Sequence, residues 1–265
     1  MNARIVACYN LKGGVGKTTA AVNLAYAAAI GGRQTLLWDL DPQAAATWFF
    51  RVRPKIRGGA KKLIKGRSEP QDFIKATNYP GLDLMPADFS YRNLDQYLSR
   101  KKRWAGRLAE LVLPVRREYD FVFLDCAPAI SIVSENIFRA ADVLLIPLIP
   151  TFLSVRVYER LKTWFGKHAE FQVRLLPFFS MVDRRRRLHR DLMENMVRDH
   201  PEVLQASISY AAVVEHMGRV RAPLPVFAPG SEITASFTAL WLEVQDRIGR
   251  KERENMAIPD GNRPA

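Results

Sequence analysis

Residues Lys12 to Thr19 read Lys-Gly-Gly-Val-Gly-Lys-Thr-Thr. This order of side chains suits the phosphates of a nucleoside triphosphate. Gly13, Gly14 and Gly16 carry no Cβ, so backbone N–H groups can close around an anion. With Val15 and Thr19 completing the turn, those N–H groups form a concave site at a helix N-terminus, where the helix dipole adds to the attraction. Lys17 is placed to hold the β- and γ-phosphates and Thr18 to ligate Mg²⁺. Lys12 is a second lysine at the mouth of the loop, five residues earlier, where its side chain can leave its own site. The plain phosphate-loop pattern asks for Gly at position 11, and this chain has Leu11. The variant pattern Lys-Gly-Gly-x-Gly-Lys-Thr-[Ser/Thr] is matched in full.

The elements around the loop support that reading over a glycine-rich turn that binds nothing. Arg4 to Tyr9 reads as a buried strand before it, and Lys17 to Ile30 as an Ala-rich helix after it. Apolar runs recur at 4–9, 34–38, 82–86, 121–125, 142–147 and 173–179. Helical stretches at 17–30, 131–139, 153–166 and 188–199 fall between or after them. Continuous rather than alternating apolar strands mean burial on both faces. The expected fold is therefore α/β, a mostly parallel twisted sheet flanked by helices on both faces. Ligands then sit beyond the carboxyl ends of the strands, where the loop, Asp39, Asp41 and Asp125 all fall. A single domain over residues 1–249 is expected. Within it, 51–70 reads as a basic loop or insertion with a short helix near 60–65, and 232–249 as a closing helix. Residues 250–265 read as a disordered polar tail.

Three further segments carry a family likeness. Thr35-Leu-Leu-Trp-Asp-Leu-Asp-Pro-Gln43 is an Asp-x-Asp-Pro-Gln motif, Tyr119-Asp-Phe-Val-Phe-Leu-Asp-Cys-Ala-Pro128 a Walker B strand, and Ala140-Ala-Asp-Val-Leu-Leu-Ile-Pro147 the strand that follows. With the loop, they make the chain resemble the ParA/MinD family of deviant Walker A ATPases, and within it ParA-type partition and positioning proteins. The likeness is strong over about residues 3–50 and 115–165, weaker beyond, and poor over 51–115.

The resemblance implies a P-loop NTPase fold, with ATP and Mg²⁺ as ligands. Thr18, Asp39 and Asp125 would serve the metal, directly or through its water. Asp41 would orient the attacking water, although an Asp before Pro42 also suits a helix cap. Lys12 would cross to the phosphates of a second subunit, so that ATP joins a homodimer and supplies charge in trans. Asp183, after Met181 and Val182, is a candidate for the adenine edge. Two departures stand out: Arg156 occupies a position where the family often has Glu, and Ile208-Ser-Tyr replaces Ile-Pro-Arg.

Charge points to the partner. The net charge is +13, which suits a polyanion. Basic runs lie at 51–67, at 100–103 and at Arg184 to Arg187 with Arg190. Non-specific DNA needs only Lys and Arg contacts to phosphate. By the family likeness, Arg184, Arg185, Arg186 and Arg187 are the foremost DNA candidates, with Arg219 and Arg221 as others. The implied protein is cytoplasmic and nucleoid-associated, and moves or segregates a plasmid, chromosome or protein assembly. A ParB-like or other small adaptor would stimulate its slow ATP hydrolysis. The chain starts at its first strand, so neither a leader nor a DNA-reading N-terminal domain is expected.

The alternative is a MinD-like membrane-cycling ATPase, but 250–265 lacks the apolar face of a lipid-binding helix, so no stable membrane association is expected. Cys8 and Cys126 fall in apolar strand-like runs and read as reduced and buried. Neither placement suits a cluster-bridging role of the iron-protein type.

Overall fold

The computed structural model describes residues 3–100 and 104–257, with side chains to residue 249. Its elements run β1 (Arg4–Cys8), α1 (Lys17–Ile30), β2 (Thr35–Asp39), α2 (Ala45–Phe49), α3 (Gly59–Ile64), β3 (Lys75–Ala76), β4 (Leu82–Met85), α4 (Leu94–Ser99) and α5 (Arg107–Val112). There follow β5 (Phe121–Asp125), α6 (Ile132–Ala140), β6 (Val143–Leu148), α7 (Phe152–Gly166), β7 (Arg174–Phe179), α8 (Arg187–Asp199), α9 (Ala212–Val220), α10 (Leu224–Phe227) and α11 (Glu232–Ala257).

The strands form one seven-stranded sheet in the order β3-β4-β2-β5-β1-β6-β7. All pairings are parallel except the short β3, which runs antiparallel to β4 at the edge. Successive side chains of a strand point to opposite faces, and here both faces are covered. Ile5, Trp38, Val122, Leu124 and Ile146 join one apolar cluster with α3 to α8. Val6, Leu37, Phe123 and Leu145 join the other with α1, α9, α10 and α11. That double burial is why the strands read as unbroken apolar runs. α1 fits closely because its inward positions are Ala20, Ala21, Ala25 and Ala28. The α/β expectation therefore holds.

Two stretches differ from the sequence reading. Residues 51–70 carry the short helix expected near 60–65 as α3, but the stretch is less a loop than a packed segment: Ile56, Ala60, Leu63 and Ile64 are all buried in the core, in one cluster with Tyr91 and with Leu94 and Leu98 of α4. α11 continues through Ala257, past the boundary expected at 249, because nothing between Arg250 and Ala257 breaks a helix. The remaining tail, 258–265, lies outside the described residues, as do Lys101, Lys102 and Arg103 of the second basic run. No helix among the described residues is long and apolar enough to cross a membrane.

Candidate nucleotide site

The parallel order aligns three strand ends. Cys8 of β1 and Asp39 of β2 are both register partners of Asp125 in β5. The loop from Lys12 to Gly16 leaves β1 at this edge and enters α1 at Lys17. Gly14 has φ +70° and Gly16 φ +92°, a region side chains with a Cβ avoid. A Cβ on Gly16 would also meet Ser180 Oγ at 2.9 Å. Asn10 anchors the loop. Its buried side chain accepts from Lys12 N at 2.9 Å and donates to Pro147 O at 2.7 Å. Asn10 and Ser180 escaped the sequence reading, since a single polar residue at a strand end carries no periodic signal.

The two lysines have opposite surroundings. Lys17 is buried, and its Nζ donates to Lys12 O at 3.1 Å. Burial lowers its pKa, and the charges of Asp125 and Asp41 act against that. The Lys12 side chain is exposed and forms no ion pair among the described residues. Val15 is buried beneath the loop, Gly13 and Gly14 are exposed, and Thr18 and Thr19 are half-buried.

The carboxylates also differ. Asp39 is fully buried, and its Oδ2 accepts from Thr47 N at 2.8 Å and Thr47 Oγ1 at 2.7 Å. Its Oδ1 accepts from Asp41 N at 3.2 Å. Desolvation pushes its pKa up to about 6. Asp39 thus ties β2 to α2, and Thr47 Oγ1 extends the tie by accepting from Ala87 N. Asp125 is buried with both carboxyl oxygens unpartnered. Burial first, then the Asp39 charge, hold its pKa well above the carboxylate range; the nearby Thr18 side chain tempers this without satisfying either oxygen. Asp41 is half-buried, and its Oδ1 accepts from Gln43 N at 2.9 Å. It does not cap α2, whose N-cap is Ala44 with φ 57°. Cys8 and Cys126 are buried free thiols, pushed upward mainly by desolvation.

A cleft of about 100 Å³ opens beside the loop between Gly16, Thr19 and Ala20 on one wall and Met181, Ile208 and Tyr210 on the other. Its apolar lining suits a flat base. Asp183 does not line it. That carboxylate faces Arg185, which donates from Nε at 2.9 Å and Nη2 at 3.1 Å, and it lines the adjoining cavity.

The predicted arginines separate into two groups. Arg184 to Arg187 are exposed on the turn leading into α8. Arg187 pairs with Asp191 at 3.4 Å, while Arg184 and Arg186 form no ion pair among the described residues. Arg219 is exposed on α9. Arg221 is otherwise engaged: its guanidinium carbon lies 3.8 Å from the centre of the Trp48 ring, and its Nε donates to Trp48 O at 3.0 Å.

Among known proteins, the AAA domain family matches residues 3–171. The chain is 32% identical over 207 residues to the chromosome partitioning protein ParA of Caulobacter vibrioides, covering 74% of this chain and 76% of that one. A plasmid partition protein of Borrelia burgdorferi B31 bound to AMPPNP superposes with a TM-score of 0.78 at 18% identity, covering 93% of this chain and all of that one (100%). Cobyrinic acid a,c-diamide synthase of Mycobacterium smegmatis with bound ADP and magnesium gives a TM-score of 0.70 at 25% identity, covering 87% of this chain and 98% of that one.

Proposed function

Because the chain belongs to the ParA/MinD family of P-loop ATPases, we propose that it is a partition or positioning ATPase that pairs with a second copy when ATP is bound. It then holds DNA without sequence preference and is reset by partner-stimulated hydrolysis. The observation that carries this reading is the contrast between its two loop lysines. Lys17 is buried inside the loop, and Lys12 is exposed at its mouth.

Lys17 and the N–H groups of Gly13 to Thr19 bind the triphosphate. The adenine lies in the apolar cleft against Met181 and Tyr210. The residues present fit Mg²⁺: Asp125 offers two buried, unpartnered carboxyl oxygens, and the Thr18 hydroxyl stands beside them. Bound there, Mg²⁺ neutralises charge on the phosphate oxygens. Asp125 would hold the cation as a carboxylate, and any proton it carries would be released on binding. Asp39 has both oxygens engaged by Thr47 and the Asp41 N–H, so it would act on the metal through its charge and bound water rather than as a ligand. Asp41 orients the attacking water, its carboxylate held by the Gln43 N–H.

Lys12 reaches across to the partner subunit's phosphates. The surface around it suits pairing. Ile130 is 81% exposed in the segment after β5, and Phe152 and Leu153 are exposed at the start of α7, on the same sheet end as the loop. Arg184 and Arg186 contact DNA phosphates, and pairing doubles their number on one face, which multiplies salt-sensitive retention.

Size-exclusion chromatography with light scattering tests the reading. The wild type elutes as a dimer with ATP and as a monomer with ADP. Lys12→Ala binds ATP and stays monomeric. A normal ATP dimer from Lys12→Ala removes the role given to this lysine.

A further inference from the structure

The basic stretch 51–67 is not used by the site. It holds eight cations, Arg51 to Arg67, and not one Asp or Glu. A solvated helical face normally mixes signs. Here every one of the eight side chains is exposed.

The backbone beneath them is built. Asp88 Oδ2 accepts from Ile56 N at 2.9 Å, and Ser90 Oγ accepts from Ala60 N at 2.8 Å. Gly58 and Gly59 turn the chain at φ +89° and +68°. Arg107 Nε closes the end of α3 on Ile64 O at 2.9 Å. The neighbouring Asp88 is thus engaged by N–H groups. Phe89, exposed, adjoins the surface with the Arg92 guanidinium carbon 4.0 Å from its ring centre. Arg51 is not part of the offered charge, because its Nη2 donates to Val220 O at 2.7 Å.

We propose that Arg53, Lys55, Arg57, Lys61, Lys62 and Arg67 form a second binding surface for the phosphate backbone of duplex DNA. This rests on the reading that the protein binds DNA, and it adds a face separate from the arginine turn before α8. The segment follows β2 and packs against the turn after β4 and against α4, towards one edge of the sheet, whereas α8 follows β7 at the other edge. Nothing in 51–67 is Asn, Gln, Ser or Thr, so the surface is rich in groups that bind phosphate and poor in the amides that read adenine. A lipid surface fits less well. α3 turns Ala60, Leu63 and Ile64 into the core, leaving no apolar face to enter a bilayer, and a polybasic patch alone is one signal where stable anchoring takes two.

The test is a salt titration of full-length protein with ATP on a labelled duplex, followed by fluorescence anisotropy. The triple variant Arg53→Ala/Lys61→Ala/Lys62→Ala is expected to flatten the plot of log affinity against log salt by about 2–3, near 0.9 for each phosphate no longer neutralised. Arg184→Ala/Arg186→Ala flattens it separately, and the two effects add. An unchanged slope in the triple variant, with wild-type binding intact, overturns the second surface and leaves the DNA reading standing. A wild type that binds no duplex overturns both. Loss of binding to phosphatidylserine vesicles with duplex binding unchanged reassigns the surface to lipid. Thermal melts check the fold, and Lys61→Gln/Lys62→Gln repeats the measurement if the alanine variant melts early.

Discussion

Replacing Asp39 with Asn should make the nucleotide-free protein more stable, which is an unusual outcome for a fully buried position. Its carboxyl is raised from 3.8 to about 6, chiefly by desolvation. At about 1.4 kcal/mol per pH unit, that gap amounts to a penalty of about 3 kcal/mol at neutral pH. The sign follows from proton binding. A carboxyl raised on folding holds its proton more tightly in the folded chain, so its stabilising contribution is full below 3.8. It is lost as pH rises through the window from 3.8 to about 6. An Asn with its oxygen at the Oδ2 position keeps both Thr47 bonds. It gives up the weaker acceptance from Asp41 N, about 1 kcal/mol. The net gain is about 2 kcal/mol at neutral pH, or about 4–8 °C for a domain of this size. Near pH 5 the wild type recovers about 1 kcal/mol by protonation, and the advantage shrinks to about 1 kcal/mol. Urea melts of both proteins at the two pH values measure it. A variant less stable than wild type at neutral pH, or an advantage independent of pH, would refute the reasoning.

Other substitutions probe the remaining parts. Asp41→Ala should keep ATP affinity and lower single-turnover phosphate release by about a hundredfold; fast release would reassign the water. Lys17→Ala should weaken nucleotide binding by about a hundredfold in calorimetry, and tight binding would remove Lys17 from the phosphates. Gly16→Ala meets both a left-handed backbone and the Ser180 hydroxyl. A destabilisation of about 1–2 kcal/mol is expected, read as a lower melting temperature, and an unaltered melt would mean the loop relaxes freely. ATP titrations in buffers of different ionisation heat should show proton release on Mg²⁺-nucleotide binding. Asp125→Asn should abolish that release; its persistence would place the proton elsewhere.

Much of the fold is legible in the sequence. Buried parallel strands write themselves as unbroken apolar runs, so β1, β2, β4, β5, β6 and β7 appear within a residue or two of their observed ends. β3 leaves no trace, because Lys75 and Ala76 are both exposed and polar or small. The packing of 51–70 is masked by its lysines, which dilute the spacing of Ala60, Leu63 and Ile64. The phosphate loop and its acids are readable because a motif compresses the chemistry into adjacent positions. Arg221 is not. Its partner Trp48 lies 173 residues away, and a cation stacked on an indole looks, in sequence, like a cation awaiting a polyanion. Asp183 is paired with Arg185 only two residues on, and so short-range an exposed pair leaves no distinct signal in the sequence.

Trp48 has one more consequence. Its indole Nε1 donates to Gly218 O at 3.0 Å and its ring carries Arg221, while α2, on which it sits, begins one turn after Asp41. At 52% exposed it is open to solvent, whereas Trp38 and Trp241 are sealed at 1% and 4%. Trp104 and Trp164 are half-buried, so with those two changed to Phe the exposed Trp48 would supply the quenchable signal. A shift of the Asp41 turn on nucleotide binding should then change its acrylamide quenching.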